Sequence, residues 1–177
     1  PLGPKHQVTA SQHNVIIQLN GRAALDVFKE DIGETLARDL NRVGGQIFAG
    51  LPIAGSDTGD YLVRNLVGID PANRLIAIGE LLQPGASVMF CRRDTKTANE
   101  DMARMLDSIR KGMFGRPRGG VYYSCVGRGA SLFGPDSAEL KMIRETLGEF
   151  PLVGFFCNGE ISHNRLYGYT GVLTLFV

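Results

Sequence analysis

The sequence contains no tryptophan and, among 177 residues, only three cysteines and three histidines. The cysteines form neither a Cys-x-x-Cys pair nor an even-numbered framework, which excludes a disulfide scaffold and favours a reducing compartment, the cytoplasm. The histidines stand apart from one another and from the cysteines, so no pair has the spacing of metal ligands. We therefore expect no metal centre.

Long apolar runs and net charge are also missing. No stretch approaches the roughly 20 apolar residues that span a bilayer, and no basic-then-apolar leader begins the chain. Lys plus Arg number 19 against 18 Asp plus Glu, which gives a formal net charge of +1. Such a balance leaves no footprint for general binding to nucleic acid or to an anionic membrane. These absences predict a cytoplasmic protein that neither binds nucleic acid nor inserts into membranes.

Two glycine pairs fall short of nucleotide-binding motifs. Gly50 and Gly55 have P-loop spacing, but Ser56-Asp57 follows where Lys and then Ser or Thr are required. The Gly127-Arg128-Gly129 loop is followed by Leu132, where the dinucleotide fingerprint needs its third glycine. We therefore expect no cofactor.

The hydrophobic residues, 44% of the chain, recur with periods that predict both strands and helices. Strands are predicted at 14–19, 46–51, 61–67, 75–78, 87–92 and 119–126, with two or three more in 152–177. Turn residues separate them, for example Asn20-Gly21 and the segment 55–59. The expected fold class is therefore α+β (mixed α/β), with a largely antiparallel or mixed sheet and about three helices packed on it.

The three predicted helices differ in the residues that mark them. An apolar face runs from Leu25 to Val43 and is interrupted at Gly33, which favours two shorter helices. A capping box, Thr97-x-x-Glu100, begins the second helix. The apolar stripe of that helix contains Met102, Met105, Leu106, Ile109 and Met113. The third helix begins near Asp136-x-x-Glu139, and its apolar face contains Leu140, Ile143 and Leu147.

Three local features suggest chemistry. In the Gly127-Arg128-Gly129 loop, glycines allow close backbone approach and an arginine can grip a carboxylate. The alternative is a turn that requires glycine and carries a surface arginine. Cys157, with Glu160 and His163 nearby in sequence, has the residue types of a thiol hydrolase, although a buried inert thiol fits its apolar context better.

The third feature is a basic patch in residues 104–118, with a local net charge of +4. It is either a solvated helix face that runs into a loop, or a docking surface for an acidic partner. Its basic residues are Arg104, Arg110, Lys111, Arg116 and Arg118.

A set of motifs in chain order resembles the FIST domain, in particular its C-terminal half. The set comprises VMFCRRD (88–94), VYYSCVGRG (121–129), LFG (132–134), LVGFFCNGEI (152–161) and the closing segments at 166–170 and 173–176. The segment LNGRAALD (19–26), with the residues before it, resembles the junction at which the N-terminal half ends. The resemblance therefore implies that 1–20 is the end of the N-terminal half and that 21–177 is the FIST C-terminal domain.

The resemblance implies a sensory, ligand-binding module of a bacterial signal-transduction protein, without catalysis. The implied ligand is an amino acid or another small carboxylate. The implied partners are that small molecule, the N-terminal FIST half and signalling output domains in a longer protein. A related half in an F-box protein serves substrate recruitment, which leaves a protein-interaction module using the basic patch as the alternative. A hydrolase that depends on Cys157 is the second alternative.

The family pattern, carried over to this sequence, gives a candidate site. Arg128 would hold a ligand carboxylate, Glu160 would hold an ammonium group, and Phe133 and Phe156 would form apolar walls. Glu160 could equally be a structural carboxylate at a turn. The full candidate set is Gly127, Arg128, Gly129, Phe133, Phe156, Asn158, Gly159 and Glu160.

Overall fold

A computed structural model describes residues 1–53 and 60–177. In it the chain divides into two compact units, Pro1–Arg93 and Asp94–Val177, which are described separately below. The turn predicted at 55–59 lies outside the described residues. Of the helices in the described ranges, none combines the length and the apolar character that crossing a membrane requires.

The first unit is built on an antiparallel sheet of seven described strands. They are β1 (His6–Gln12), β2 (Val15–Leu19), β3 (Arg22–Ala23), β4 (Ile47–Pro52), β5 (Tyr61–Asp70), β6 (Leu75–Ile78) and β7 (Ser87–Arg92). Their order is β1-β7-β4-β5-β6-β2-β3, and β1 also pairs with β2. Because of that extra pairing the sheet closes on itself into a partial barrel.

The helical segments of the first unit confirm the predicted interruption. They are α1 (Ala24–Ile32), α2 (Glu34–Ala37) and a 3₁₀ turn (Leu40–Arg42). Gly33 separates the first two with φ +78°, a conformation that favours glycine. The core of this unit joins α1 to the sheet, since the rings of Phe28 and Phe90 meet edge to face with centroids 4.7 Å apart. Both side chains are fully buried.

The second unit contains three helices, a three-stranded sheet and a hairpin in its described residues. The elements are α3 (Thr95–Gly112), β8 (Gly119–Cys125), α4 (Ala130–Phe133), α5 (Ala138–Leu147), β9 (Leu152–Cys157), β10 (Glu160–Ser162), β11 (Arg165–Tyr167) and β12 (Gly171–Phe176). The sheet order is β12-β8-β9, and β10 pairs with β11. β12 runs antiparallel to β8, whereas β9 runs parallel to it.

The fold class predicted from the sequence is confirmed, with several local corrections. Strands β1 and β3 and the short helix α4 were not predicted, and the segment 152–177 contains four strands instead of two or three. Asp94, not Thr97, caps α3, because the Asp94 side chain accepts a hydrogen bond from the Thr97 amide. On α5 the buried face contains Glu139, Ile143 and Leu147, whereas Leu140 is 44% exposed.

We expect Phe28→Ala to destabilise the first unit by about 3–5 kcal/mol, because truncation of a fully buried ring leaves a cavity in the core. Val67→Ala, at an exposed position on β5, is the control and should change stability by less than about 0.5 kcal/mol. Hydrogen exchange of amides in the strands of this unit measures both effects. Equal protection in the two variants would contradict the core assignment.

Candidate functional site

The centre of the second unit is a carboxylate buried between strand β8 and helix α5. Glu139 occupies the first turn of α5 and is only 5% exposed. It lies one helical turn before Ile143 on the face that packs into the core. On β8, Tyr122 and Ser124 are both buried and share one face of the strand because side chains alternate along it. These two elements therefore bring three polar side chains together inside the unit.

Four groups of the protein donate hydrogen bonds to this carboxylate. The Tyr122 hydroxyl donates to Oε1 at 2.8 Å, and the Ser124 hydroxyl lies 3.2 Å from Oε2. The Arg128 Nε donates to Oε1 at 2.8 Å and the Gly129 amide to Oε2 at 3.1 Å. We call this arrangement of Tyr122, Ser124, Arg128, Gly129 and Glu139 the Glu139 clamp.

The clamp holds a mostly buried ion pair. The Arg128 side chain is 14% exposed, and its guanidinium carbon lies 4.6 Å from the centroid of the Phe133 ring, a cation–π arrangement. Burial raises the pKa of Tyr122 to about 12, so at neutral pH this phenol remains protonated and donates to Glu139. The clamp therefore neutralises the Glu139 charge from within the protein and fixes the Arg128 side chain.

Beside the clamp lies an open cavity of about 540 Å³, which we call the β9 cavity. One wall is strand β9, whose residues Leu152 to Phe156 all contribute. The other wall consists of Gly129, the ends of α4 and of the loop that follows it (Ala130, Gly134 and Ser137), and the first turn of α5, up to Leu140. Tyr122 and Glu139 of the clamp also line it. The cavity thus combines apolar walls with a few polar groups, as ligand sites in proteins do.

A second group of side chains surrounds Cys157 at the end of β9. Its thiol donates to Glu160 Oε1 at 3.2 Å, and Glu160 is nearly fully buried. Burial raises the pKa of the Cys157 thiol, and the neighbouring Glu160 carboxylate raises it further. Burial also raises the pKa of Glu160, against the opposing effects of the thiol, the Thr170 amide and Arg128. A thiol in this environment remains protonated at neutral pH, which disfavours its action as a nucleophile.

The His163 side chain, considered as the base of a hydrolase, lies in the turn between β10 and β11. Its Nδ1 is 3.3 Å from the Ser162 hydroxyl, and the residue is exposed. Near this hairpin the Cys157 thiol hydrogen-bonds to the Glu160 carboxylate. A Cys157 hydrolase stays an untested prediction.

The candidate site predicted from the sequence divides between these two groups. Gly129 and Phe156 meet at the β9 cavity: a Cβ on Gly129 would lie 2.9 Å from the Phe156 ring. Arg128 and Phe133 belong to the clamp and the core behind it. One alternative for this loop was a turn that requires glycine and carries a surface arginine. The loop does require glycine, but Arg128 is mostly buried and is bonded to other residues of the protein.

The remaining predicted site residues lie near the β10–β11 hairpin. Gly127 lies against the Tyr169 ring, and Gly159 against Leu166. Asn158 is exposed at the end of β9, and Glu160 faces Cys157. Their roles in ligand binding stay predictions, as do those of Arg128 and Phe133.

The basic patch is partly neutralised along helix α3. Arg104 pairs with Asp101 at 2.7 Å, and Arg110 and Lys111 both pair with Asp107 at 2.6 Å. These pairs reduce the local positive charge on the helix. Arg116 and Arg118 follow in an exposed loop. Docking of an acidic partner here stays a prediction.

Glu139, Tyr122 and Ser124 were not predicted from the sequence as site residues. A signal was present for Glu139, because it precedes Ile143 by four residues and Leu147 by eight, on the apolar face of the predicted helix. A carboxylate on a core-facing stripe needs a partner inside the protein. Arg128 is the basic residue in the preceding loop that supplies it.

The fold and the cavity together define an α+β protein with a recessed cavity and an internally neutralised carboxylate. The family model of the FIST C domain matches residues 24–163, and the chain therefore belongs to the FIST C domain family. This family is associated with sensory functions in signal transduction.

The relatives with curated sequences are mycobacterial. An uncharacterised protein of Mycobacterium tuberculosis is 36% identical over the whole of this chain and 48% of its own length. An uncharacterised protein of Mycobacterium bovis is 32% identical, again over the whole of this chain and 48% of its own length. The chain thus spans about half the length of these relatives. No solved structure matches it.

Removal of one partner of the clamp should destabilise the second unit strongly. We expect Arg128→Ala to cost about 3 kcal/mol, since it leaves the buried Glu139 charge without its cation. Arg144→Ala is the matched control, because Arg144 is 60% exposed and lies 4.0 Å from Glu149; an exposed pair contributes less than about 1 kcal/mol. Chemical denaturation followed by circular dichroism measures both, and equal losses would contradict a structural role for Arg128.

The environment of Cys157 makes a separate prediction about its reactivity. Glu160→Gln removes the negative charge that raises the Cys157 pKa, so iodoacetamide should alkylate Cys157 faster in this variant than in the wild type at pH 8. Glu145→Gln, at an exposed position on α5, is the control and should leave the rate unchanged. Mass spectrometry of the alkylated peptide gives the rates. If wild-type Cys157 reacts faster than the same cysteine in the unfolded chain, the thiol is activated and the hydrolase alternative gains support.

Proposed function

We propose that this chain is the ligand-binding part of a sensory protein, that its ligand occupies the β9 cavity, and that it acts by binding and without catalysis. The observation that carries this proposal is the cavity itself. Its volume of about 540 Å³ lies within the range of roughly 300–1,000 Å³ that is usual for small-molecule sites. The sensory association of the family supports the same function.

The ligand class implied by the resemblance to the FIST domain is an amino acid or another small carboxylate. One feature of the cavity supports a ligand group with an acceptor oxygen, such as a carboxylate, because Ser137 and Ala138, at the start of the ten-residue helix α5, are part of the lining. The first amides of a helix have no partner within it and can donate to such an oxygen, whether it belongs to a carboxylate or to a peptide carbonyl. The raised pKa of Cys157 supports the absence of catalysis by that thiol.

A thermal-shift screen of the 177-residue chain against amino acids and small carboxylates tests the proposal. A ligand at 100 times its Kd adds about 2.7 kcal/mol of stability, which raises the melting temperature of a chain of this length by roughly 5–10 °C. Leu140→Trp, which fills the α5 side of the cavity, should abolish the shift. Leu81→Trp, at an exposed position in the first unit, should retain it.

Two outcomes would contradict the proposed function. A shift that survives Leu140→Trp would place the ligand outside the β9 cavity. The absence of any shift with amino acids and small carboxylates, together with the absence of peptide binding by calorimetry, would contradict small-ligand binding by this chain.

A further inference from the structure

The lining of the β9 cavity contains one charged side chain, and that charge is already satisfied. Among the described lining residues this is Glu139, which accepts hydrogen bonds from Tyr122, Ser124, Arg128 and Gly129. A free amino acid would bring two charges out of water. The ammonium group in particular would find no uncommitted carboxylate, and an unpaired buried charge is costly. The side chains of the cavity therefore favour a ligand without an ammonium group.

The groups that the cavity does offer are those of a strand edge. In the described part of the chain β9 pairs with β8 on one side and with no strand on the other. The carbonyl groups of Pro151 and Cys157 accept from the Gly120 and Val126 amides of the β8 segment. Because backbone groups alternate between the two edges of a strand, those of Leu152, Gly154 and Phe156 point toward the free edge, and all three residues line the cavity.

The side chains of β9 are also exposed and apolar. Val153, Phe155 and Phe156 are 67%, 65% and 58% exposed. Proteins usually protect such edges with charged residues, proline or a bulge, but Leu152–Cys157 contains no charge and no proline and pairs with β8 in unbroken register. Leu140 of α5 faces this strand across the cavity. The cavity is therefore a slot between a free strand edge and a helix.

We propose that the ligand of the β9 cavity is an extended, uncharged peptide segment of a separate molecule, which adds to β9 as a further strand. This inference rests on the proposed function, because it names the ligand class of the same site. Backbone hydrogen bonds to Leu152, Gly154 and Phe156 would align the peptide, and apolar side chains at alternate positions would contact Phe156 and Leu140. Strand addition of this kind gains affinity from the main chain and specificity from alternate side chains.

The length of the slot sets the length of the peptide. Five consecutive residues of β9 line the cavity, and a strand rises about 3.3 Å per residue. A segment of about four or five residues therefore matches the edge. No covalent step is involved. The one charged side chain among the described lining residues, Glu139, is hydrogen-bonded within the protein, and the Cys157 thiol is not part of the described lining.

The test compares two blocked peptides that differ only in their ability to form strand hydrogen bonds. The first is acetyl-Thr-Val-Thr-Val-Thr-amide, and the second carries N-methyl groups on alternate amides. Titration calorimetry with the 177-residue chain should show at least about tenfold weaker binding of the methylated peptide, because two or more hydrogen bonds of about 1 kcal/mol each are lost. Bound unmethylated peptide should slow hydrogen exchange at the amides of Leu152, Gly154 and Phe156.

A variant pair and a free amino acid complete the experiment. Leu140→Trp should abolish binding of the unmethylated peptide, whereas Leu81→Trp should retain it. Equal affinity for the two peptides would overturn strand addition. Binding of free valine without binding of either peptide would overturn the peptide inference but leave the proposed function standing.

Two further outcomes also decide the matter. If the chain binds neither peptides nor amino acids nor small carboxylates, the inference and the proposed function fail together. If light scattering shows a dimer whose formation protects the β9 amides in the absence of peptide, the occupant of the slot is a second copy of the chain and the proposal of a separate peptide is wrong.

Discussion

The burial of one negative charge, that of Glu139, constrains the whole second unit. A carboxylate this deeply buried is tolerated only when it is paired and hydrogen-bonded. Its partners lie on β8 and on the loop that follows, while the carboxylate itself belongs to α5. The need for pairing therefore fixes the distance and register between strand and helix. It also requires a tight loop at Gly129, where a Cβ would contact Phe156.

The clamp has a consequence for what the neighbouring cavity can recognise. Arg128 looks like a carboxylate receptor in the sequence, yet its Nε and most of its surface are used within the protein. The same pairing removes Glu139 as a counter-ion for a cationic ligand. What remains at the cavity is apolar surface and main-chain hydrogen-bonding groups, including those at the start of α5. For a ligand bound there as proposed, selectivity would depend on shape and on backbone pairing more than on charge.

Local sequence patterns were enough to predict most of the elements, because the short apolar run of β6 and the apolar stripe of α3 are properties of short segments. The break at Gly33 followed from one residue's backbone preference. Strand β1 was missed because His6–Gln12 is mostly polar, and its place depends on pairing with both β2 and β7. The clamp was missed for a similar reason: the role of Arg128 depends on Glu139, eleven residues away, and only their folded positions show that each neutralises the other.

Strand β9 is anchored along the edge that pairs with β8 and, among the described strands, uncovered along its other edge, and both properties follow from its place at the end of the sheet. Its parallel pairing with β8 anchors it to the strand that carries Tyr122 and Ser124, so the clamp holds the wall of the cavity in place without covering it. A preformed wall spares a ligand the entropy of ordering the protein, which is how preorganised sites gain affinity. The free edge, by contrast, exposes unpaired main-chain groups together with Val153 and Phe155. An edge with this composition favours pairing with a further strand, and under the proposed peptide binding α5 would restrict that pairing to segments that fit the slot.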